Sequence, residues 1–486
     1  MSSIKPKNRP VIIVGMAILF SFVLSYIPEG VNILFFKTKP VSFFADIKPD
    51  SLLSLNREAI HTSGINSASL PPAGKVIFAS FPSEVLFEPF VRLLGEDGNS
   101  LENITGLQKM EEGNSALQPV KDVPLSGNVA QMKNFYAALK QSRSKSVRIA
   151  HYGDSGLEGD LIDADIRQAL QKEFGGMGVG FLPVTSQDVS FRVSTGISFS
   201  PDWKTSSVII GKEANIPLGI NGFAFIPKAG SWVKYNCLNR YSSASAFRTI
   251  KIYYTDAKNS SIRYSFNNGQ EQSAPLRTGK GIKELLLTVP SNGTSFKMTA
   301  TQAEQAKFYG ISMETGPGLY LDNFAWRGNT GTSFRDISPE VMKDFNKYLD
   351  YKLIILSFGQ NMVSTGSVNF GWYESQMINV INELKSSFPQ ASILLVGVGD
   401  RAIKRGTRFA TDPNILKMVE SQKKIAQSTG VTFWNMFEAM GGENSMVAWA
   451  GSGLAFKDYE HISLDGSKKV AQMLSKAILN GYYSQK

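Results

Sequence analysis

One stretch constrains this chain more than any other. A short apolar run at residues 147–150 gives onto His151-Tyr152-Gly153-Asp154-Ser155, and a helical pattern follows at 161–174. The run reads as a buried strand, so Ser155 sits where a strand turns into a helix. Such a junction exposes a hydroxyl at the carboxyl end of a strand, and nearby backbone N–H groups can face a developing oxyanion. Two readings fit these residues. In one, Asp154 and Ser155 cap the helix, as their residue types often do. In the other, Ser155 is a nucleophile.

The rest of the C-terminal half repeats the strand-then-helix texture. A second apolar strand at 353–358 runs into Gly359-Gln360-Asn361, and Asp458-Tyr459-Glu460-His461 precedes a helix at 464–479. Between them the spacing predicts helices at 339–349, 372–386 and 414–428, and strands at 393–398 and 431–434. Ser338 is well placed to cap the first of these helices, with Pro339 in its first turn. Strands alternating with helices imply a mainly parallel sheet covered on both faces. A helix at 129–141 places Met132, Phe135, Tyr136 and Leu139 on one stripe, read as core packing. Glu158, Asp160 and Asp163 lie near the start of the helix after Ser155, where carboxylates suit the helix dipole, and are read as structural. The glycine-rich 175–180 follows a helix and lacks the dinucleotide-binding spacing, so it closes that helix.

From about 189 to 314 the texture changes. Short β-type runs recur at 203–210, 223–226, 232–237, 249–254, 262–266, 285–289, 296–299 and 308–313. Turn residues such as Asn267-Asn268-Gly269 and Ser291-Asn292-Gly293 separate some of them. This spacing predicts an antiparallel sandwich inserted into the α/β domain. Trp203, Trp232, Tyr235, Tyr253 and Tyr254 either fill the sandwich or stack on sugar rings; filling is the reading for most of them.

The N-terminus points to a membrane. Lys5, Lys7 and Arg9 precede an apolar run at 11–27, and no small-x-small cleavage site follows. This reads as an uncleaved signal anchor, with the bulk of the chain periplasmic or extracellular. Residues 31–127 read as an extension and linker, with a loop around Pro71-Pro72. The chain is basic, with a net charge of +10, yet holds no dense Lys/Arg block, so nucleic acid is not an expected partner. Cys237 is its single cysteine, which excludes an intramolecular disulfide and any cysteine-based zinc cluster.

Histidines narrow the chemistry further. There are three: His61, His151 and His461. A serine mechanism needs a base that takes the hydroxyl proton and returns it to the leaving group. His61 lies in the extension. His151 ends a strand and reads as structural. His461 is the candidate base, and Asp458, three residues earlier, can fold back to orient its ring.

Gly-Asp-Ser, Gly-x-Asn and Asp-x-x-His, in this order and two of them after apolar strands, resemble the motif blocks of the SGNH (GDSL-type) hydrolase superfamily. Gly328-Asn329-Thr330-Gly331-Thr332-Ser333 resembles its second block, whose glycine serves the oxyanion hole; Gly331 is the assignment and Gly328 the alternative. The resemblance implies a catalytic set of Ser155, Asp458 and His461, an oxyanion hole of Ser155, Gly331 and Asn361, and no cofactor or metal. Met362 follows Asn361 where the superfamily more often has Asp. The layout, and His151-Tyr152-Gly153-Asp154-Ser155 in particular, resembles peptidoglycan O-acetylesterases and polysaccharide O-acetyltransferase-like proteins. The expectation is an SGNH-type three-layer α/β/α domain with a parallel sheet (128–188 and 319–486), an inserted β-sandwich (189–318) and an N-terminal anchor (1–30). The expected partner is an acetylated cell-envelope glycan. An O-acetyltransferase, which would need a membrane partner to deliver the acetyl group, and an inactive glycan-binding protein are the alternatives to an esterase.

Overall fold

The computed structural model describes residues 121–485 apart from 303–304 and 364–367, together with a two-residue antiparallel ladder between Asn32–Ile33 and Phe36–Lys37. The expected anchor, most of the extension and His61 lie outside the described residues. Among the described residues, no helix is long and apolar enough to cross a membrane.

A six-stranded sheet forms the frame. Its spatial order is Gly318–Ala325, Ser146–Gly153, Tyr351–Ser357, Ser392–Val396, Thr432–Trp434 and Ser126–Gly127. All neighbours are parallel except the last pair. Strand side chains alternate between faces, and each face here has its own core. Ala150, Tyr152, Ile354, Leu356, Ile393 and Leu395 pack on the side of helices Pro339–Leu349, Phe370–Ser387 and Pro413–Thr429. Val147, Ile149, Leu353, Ile355, Leu394 and Val396 pack on the side of Lys133–Leu139, Asp163–Phe174 and Leu464–Tyr483. These strands are buried on both faces, which is why they read as continuous apolar runs. Helix starts follow their caps: Ser338, Asp412 and Ser463 each accept a first-turn N–H. The stretch after residue 128 differs from a single helix, opening as a 3-10 turn, Val129–Met132, before Lys133–Leu139.

The insertion is two antiparallel sheets. One runs Lys283–Gly293, Phe247–Thr255, Lys307–Glu314, Phe223–Ile226, Lys204–Ser207; the other runs Gln272–Pro275, Ser261–Phe266, Ser295–Gln302, Trp232–Cys237, Thr195–Phe199. Gly180–Leu182 also pairs with Lys307–Glu314, so the first sandwich strand precedes residue 189. At the other end, Ser126–Gly127 joins the α/β sheet just before residue 128. Strands of two or three residues are too short to show alternation, which is why both escaped the pattern. Trp203, Tyr235 and Tyr254 are buried and fill the sandwich, whereas Tyr253 is buried against Phe345 and Tyr348 of helix Pro339–Leu349. Trp232 is half-buried, with Lys297 Nζ 5.9 Å from its ring centre.

A buried ion cluster joins the two parts. Arg148, on the central strand, lies 3.0 Å from Asp322 on the adjacent strand and also meets Glu314 of the sandwich. All three are at most 2% exposed. Asp322 further accepts the Phe181 N–H at 2.8 Å and the Tyr351 hydroxyl at 2.7 Å. Lys251 reaches Glu314 at 2.8 Å. Burial pushes the Glu314 carboxyl up, but Arg148 and Lys251 outweigh it and hold the carboxyl below its ordinary value.

Removing one partner of a buried ion pair leaves the others charged and unpaired, at a cost of about 3–5 kcal/mol. Arg148→Ala is therefore expected to lower the free energy of unfolding by an amount in that range, read in urea as a lower midpoint at unchanged slope. A midpoint within error of the wild type would show that the cluster does not hold the two parts together.

Candidate active site

The central strand Ser146–Gly153 ends at Gly153, whose neighbours in register are Ala325 and Ser357. A side chain at Gly153 would lie 2.7 Å from Leu157 and 2.9 Å from the Ser357 carbonyl, so the tight exit from the sheet needs glycine there. Asp154 follows in extended conformation and caps a 3-10 helix, Ser155–Asp160, by accepting the Gly156 N–H at 3.0 Å. Capping thus belongs to Asp154 alone, and the Ser155 hydroxyl stays available. Ser155 Oγ lies 3.5 Å from His461 Nε2. Such contacts are often long in a free site and tighten when substrate arrives.

His461 Nδ1 is 2.8 Å from Asp458 Oδ2. The carboxylate can only accept, so it fixes Nδ1 as the donor and leaves Nε2 to take a proton. The other oxygen, Asp458 Oδ1, accepts the N–H groups of Glu460 and His461 at 3.0 and 3.1 Å. Partial burial pushes the Asp458 carboxyl up; these two N–H groups and the imidazole outweigh it and hold it below its ordinary value. Tyr459 takes a left-handed conformation, φ 58°, to turn this loop. Its ring stacks on Phe409 at 4.0 Å, from a hairpin of Ala402–Arg405 and Arg408–Thr411. Sequence pattern does not reveal this prop, because the stack joins residues fifty positions apart.

Asn361 sits on a one-turn helix, Gln360–Val363, after the strand Tyr351–Ser357. Its Nδ2 donates one hydrogen to the Asn329 carbonyl at 3.1 Å, which leaves the second available. The Ser155 N–H opens its helix and has no intrahelical acceptor. Gly331 does not fit the expected oxyanion role. Its N–H is committed to Asn329 Oδ1 at 2.8 Å, and it does not line the cavity at Ser155. Gly331 is needed for another reason: φ is +90°, and a side chain there would lie 2.9 Å from the Phe358 ring. Gly328, the alternative, is exposed, and no backbone acceptor holds its N–H.

His151 is buried at 1% exposure, in a second chain of serine, histidine and aspartate. Its Nδ1 lies 2.6 Å from Asp163 and its Nε2 2.7 Å from Ser357 Oγ. Asp163 also accepts Asn323 Nδ2 at 2.7 Å. The network bonds three adjacent strands to helix Asp163–Phe174, beneath the two loops that carry Ser155 and Asn361. Asp160 is buried against Arg167 at 2.8 Å, and Glu158 meets Arg327 at 3.6 Å. Asp160 and Asp163 thus serve buried partners rather than an open helix end.

Ser155, Asn361, Asp458 and His461 line one cavity of about 430 Å³. Among the described residues, no group of three or more His, Cys, Asp or Glu side chains is arranged to hold a metal ion.

In shape the chain is similar to a solved peptidoglycan O-acetylesterase, over 75% of this chain and 100% of that one, with 20% identity and a TM-score of 0.62. The chain shares the fold of that esterase. Two solved structures are more distant. A family two carbohydrate esterase from Cellvibrio japonicus is 11% identical over 60% of this chain and 99% of that one, with a TM-score of 0.26. A salicylyl acyltransferase from a tetracycline biosynthetic pathway is 10% identical over 59% and 97%, with a TM-score of 0.28. No family model and no curated protein matches the sequence. Within this fold the insertion sits between the strand that ends at Gly153 and the strand Gly318–Ala325 beside it.

Burial pushes the Asp154 carboxyl up to about 6, against the Gly156 N–H and the His461 ring, which pull it down. Asp154 then holds its proton in the fold at pH values where the unfolded chain, with an ordinary carboxyl near 4, has released it. A raised carboxyl makes stability fall as pH rises from about 4 to about 6. Asp154→Asn keeps a good cap residue and is expected to flatten that fall. Its thermal midpoint should exceed the wild type's at pH 7 and match it at pH 4. Parallel pH profiles for the two proteins would reject this account.

Proposed function

We propose that this chain is a serine-dependent carbohydrate O-acyl esterase acting on a cell-envelope glycan. The observation that carries the proposal is the Ser155–His461–Asp458 chain of contacts at the mouth of a cavity that Asn361 also lines. Ser155 Oγ attacks the ester carbonyl carbon while His461 Nε2 takes its proton. The oxyanion that forms faces the Ser155 N–H and Asn361 Nδ2. The intermediate collapses, His461 returns the proton to the departing sugar oxygen, and an acyl-serine remains. Water then attacks the acyl-serine carbonyl with His461 again as base, releasing the acid and restoring the serine. Asp458 holds the imidazole tautomer and stabilises the imidazolium.

The motif resemblance, and the peptidoglycan O-acetylesterase of similar fold, support acetyl as an acyl group and peptidoglycan as the glycan. The apolar run at 11–27 behind Lys5, Lys7 and Arg9 supports an inner-membrane anchor with the catalytic part outside the cytoplasm. Water is the favoured acceptor because the side chains of His461 and Asp458 are about half exposed. A sugar hydroxyl in place of water would make the enzyme an acetyltransferase, with a membrane partner as donor.

The test is hydrolysis of 4-nitrophenyl acetate by the purified chain, with and without a glycan acceptor. Ser155→Ala is expected to lower kcat by roughly 10⁴-fold or more. Asn361→Ala, which removes one oxyanion donor, is expected to lower it by about 10²–10³-fold with little change in KM. Free acetate as the product supports the esterase, and an acetylated acceptor formed in its place supports a transferase. Turnover that does not depend on Ser155 would reject both and leave a glycan-binding protein.

A further inference from the structure

The cavity at Ser155 is not shaped by sugar chemistry throughout. Its mouth is polar, with Ser155, Asn361, Asp458 and His461 on its walls. It then reaches Val396, Met440, Met446, Val470 and Leu474, each no more than 4% exposed and part of one apolar core cluster, with His151, Asp400 and Ser467 as the buried polar side chains among them. These residues come from a strand end, the short helices Met436–Met440 and Ser445–Gly451, and the last helix.

Size and chemistry both bear on what fills this inner part. At roughly 30 Å³ per heavy atom, a water's share of liquid volume, an acetyl group needs roughly 90 Å³. The whole cavity, its polar mouth included, measures about 430 Å³. A sugar ring would set more hydroxyls against apolar side chains than the few buried polar groups there can partner. A straight hydrocarbon chain meets no such penalty, and flexible methionines adapt to its contour.

We infer that the inner cavity is an acyl pocket, and that the site prefers ester acyl groups of about four to six carbons over acetyl. This rests on Ser155 as the nucleophile and changes only the acyl group. The chain would enter between Met440, Met446 and Val470 while the carbonyl stays at the mouth against Ser155 and Asn361. The alcohol half of the ester remains outside, on the polar rim. The reaction is otherwise the hydrolysis already described, with water as co-reactant and the free acid and alcohol as products.

The experiment compares 4-nitrophenyl acetate, butyrate and hexanoate with the full-length chain, each beside Ser155→Ala. Each buried methylene should raise kcat/KM roughly fourfold, so butyrate should exceed acetate by roughly 15-fold. Val470→Phe fills the pocket and should bring the hexanoate-to-acetate ratio of kcat/KM down towards one, with circular dichroism confirming its fold. Serine-dependent turnover that is fastest with acetate and falls with chain length overturns the acyl pocket and leaves the esterase reading standing. Turnover indifferent to Ser155→Ala overturns both. A folded Val470→Phe protein with an unchanged ratio places the chain elsewhere and also overturns the pocket. The wild-type series decides the matter by itself if that variant does not fold.

Discussion

The structure turns on a guanidinium with no access to water. Arg148 sits on the central strand, and its nitrogens meet Asp322 in the same sheet and Glu314 in the sandwich. A charge so buried is tolerable only when its partners surround it, so the three residues fix where the inserted sheet lies against the parallel one. Replacing such a cluster by apolar residues often costs little; breaking it costs much. Its effect here adds to an apolar contact between the two parts, in which Ile220, Tyr253 and Tyr309 of the insertion share one cluster with Tyr152, Phe324 and Phe345. Tyr152 and Trp326 add to this from the same face, donating to the Ile220 and Asn221 carbonyls of the insertion at 2.9 and 2.8 Å.

The strand that starts beside Arg148 ends at the candidate nucleophile, so rigidity at one end is carried to the other. His151 contributes on the way. Its buried bonds to Asp163 and Ser357 resemble a catalytic chain in composition, yet it differs in setting from the pair formed by His461 and Asp458. The ring of His151 is enclosed and its hydroxyl partner is a strand residue, whereas His461 is half exposed on a loop beside an open helix start. A proton relay in acyl transfer must meet both a nucleophile and a leaving group, and the second setting allows that. The stack of Tyr459 on Phe409 supplies firmness that an exposed loop would lack by itself.

Much of this was legible from residue order. The apolar runs before Ser155 and Asn361 are strands, because a sheet buried on both faces demands unbroken hydrophobicity. Ser338 caps its helix because a hydroxyl satisfies a first-turn N–H that has no other partner. Gly331 shows where local reading stops. A glycine in a turn after a strand suits an oxyanion hole, but the Asn329 side chain takes its N–H and Phe358 occupies the space where a side chain would stand. The carboxylates after Ser155 make the same point: Asp160 and Asp163 suit a helix start in sequence, and their partners Arg167 and His151 are apparent only in three dimensions.

By itself the sequence determined the layered α/β plan, the presence of a β insertion, and the residues able to do serine chemistry. Periodicity and residue type carry that information, since each depends on neighbours along the chain. Only the tertiary structure decided which N–H groups remain free, which ions are buried together, and that the cavity at Ser155 continues into an apolar core. Those properties depend on contacts between residues hundreds of positions apart: Ser155 and His461 are 306 apart, and Arg148 and Asp322 are 174 apart. No local pattern encodes such distances, because burial and hydrogen-bond competition are settled only when the strands take their places in the sheet.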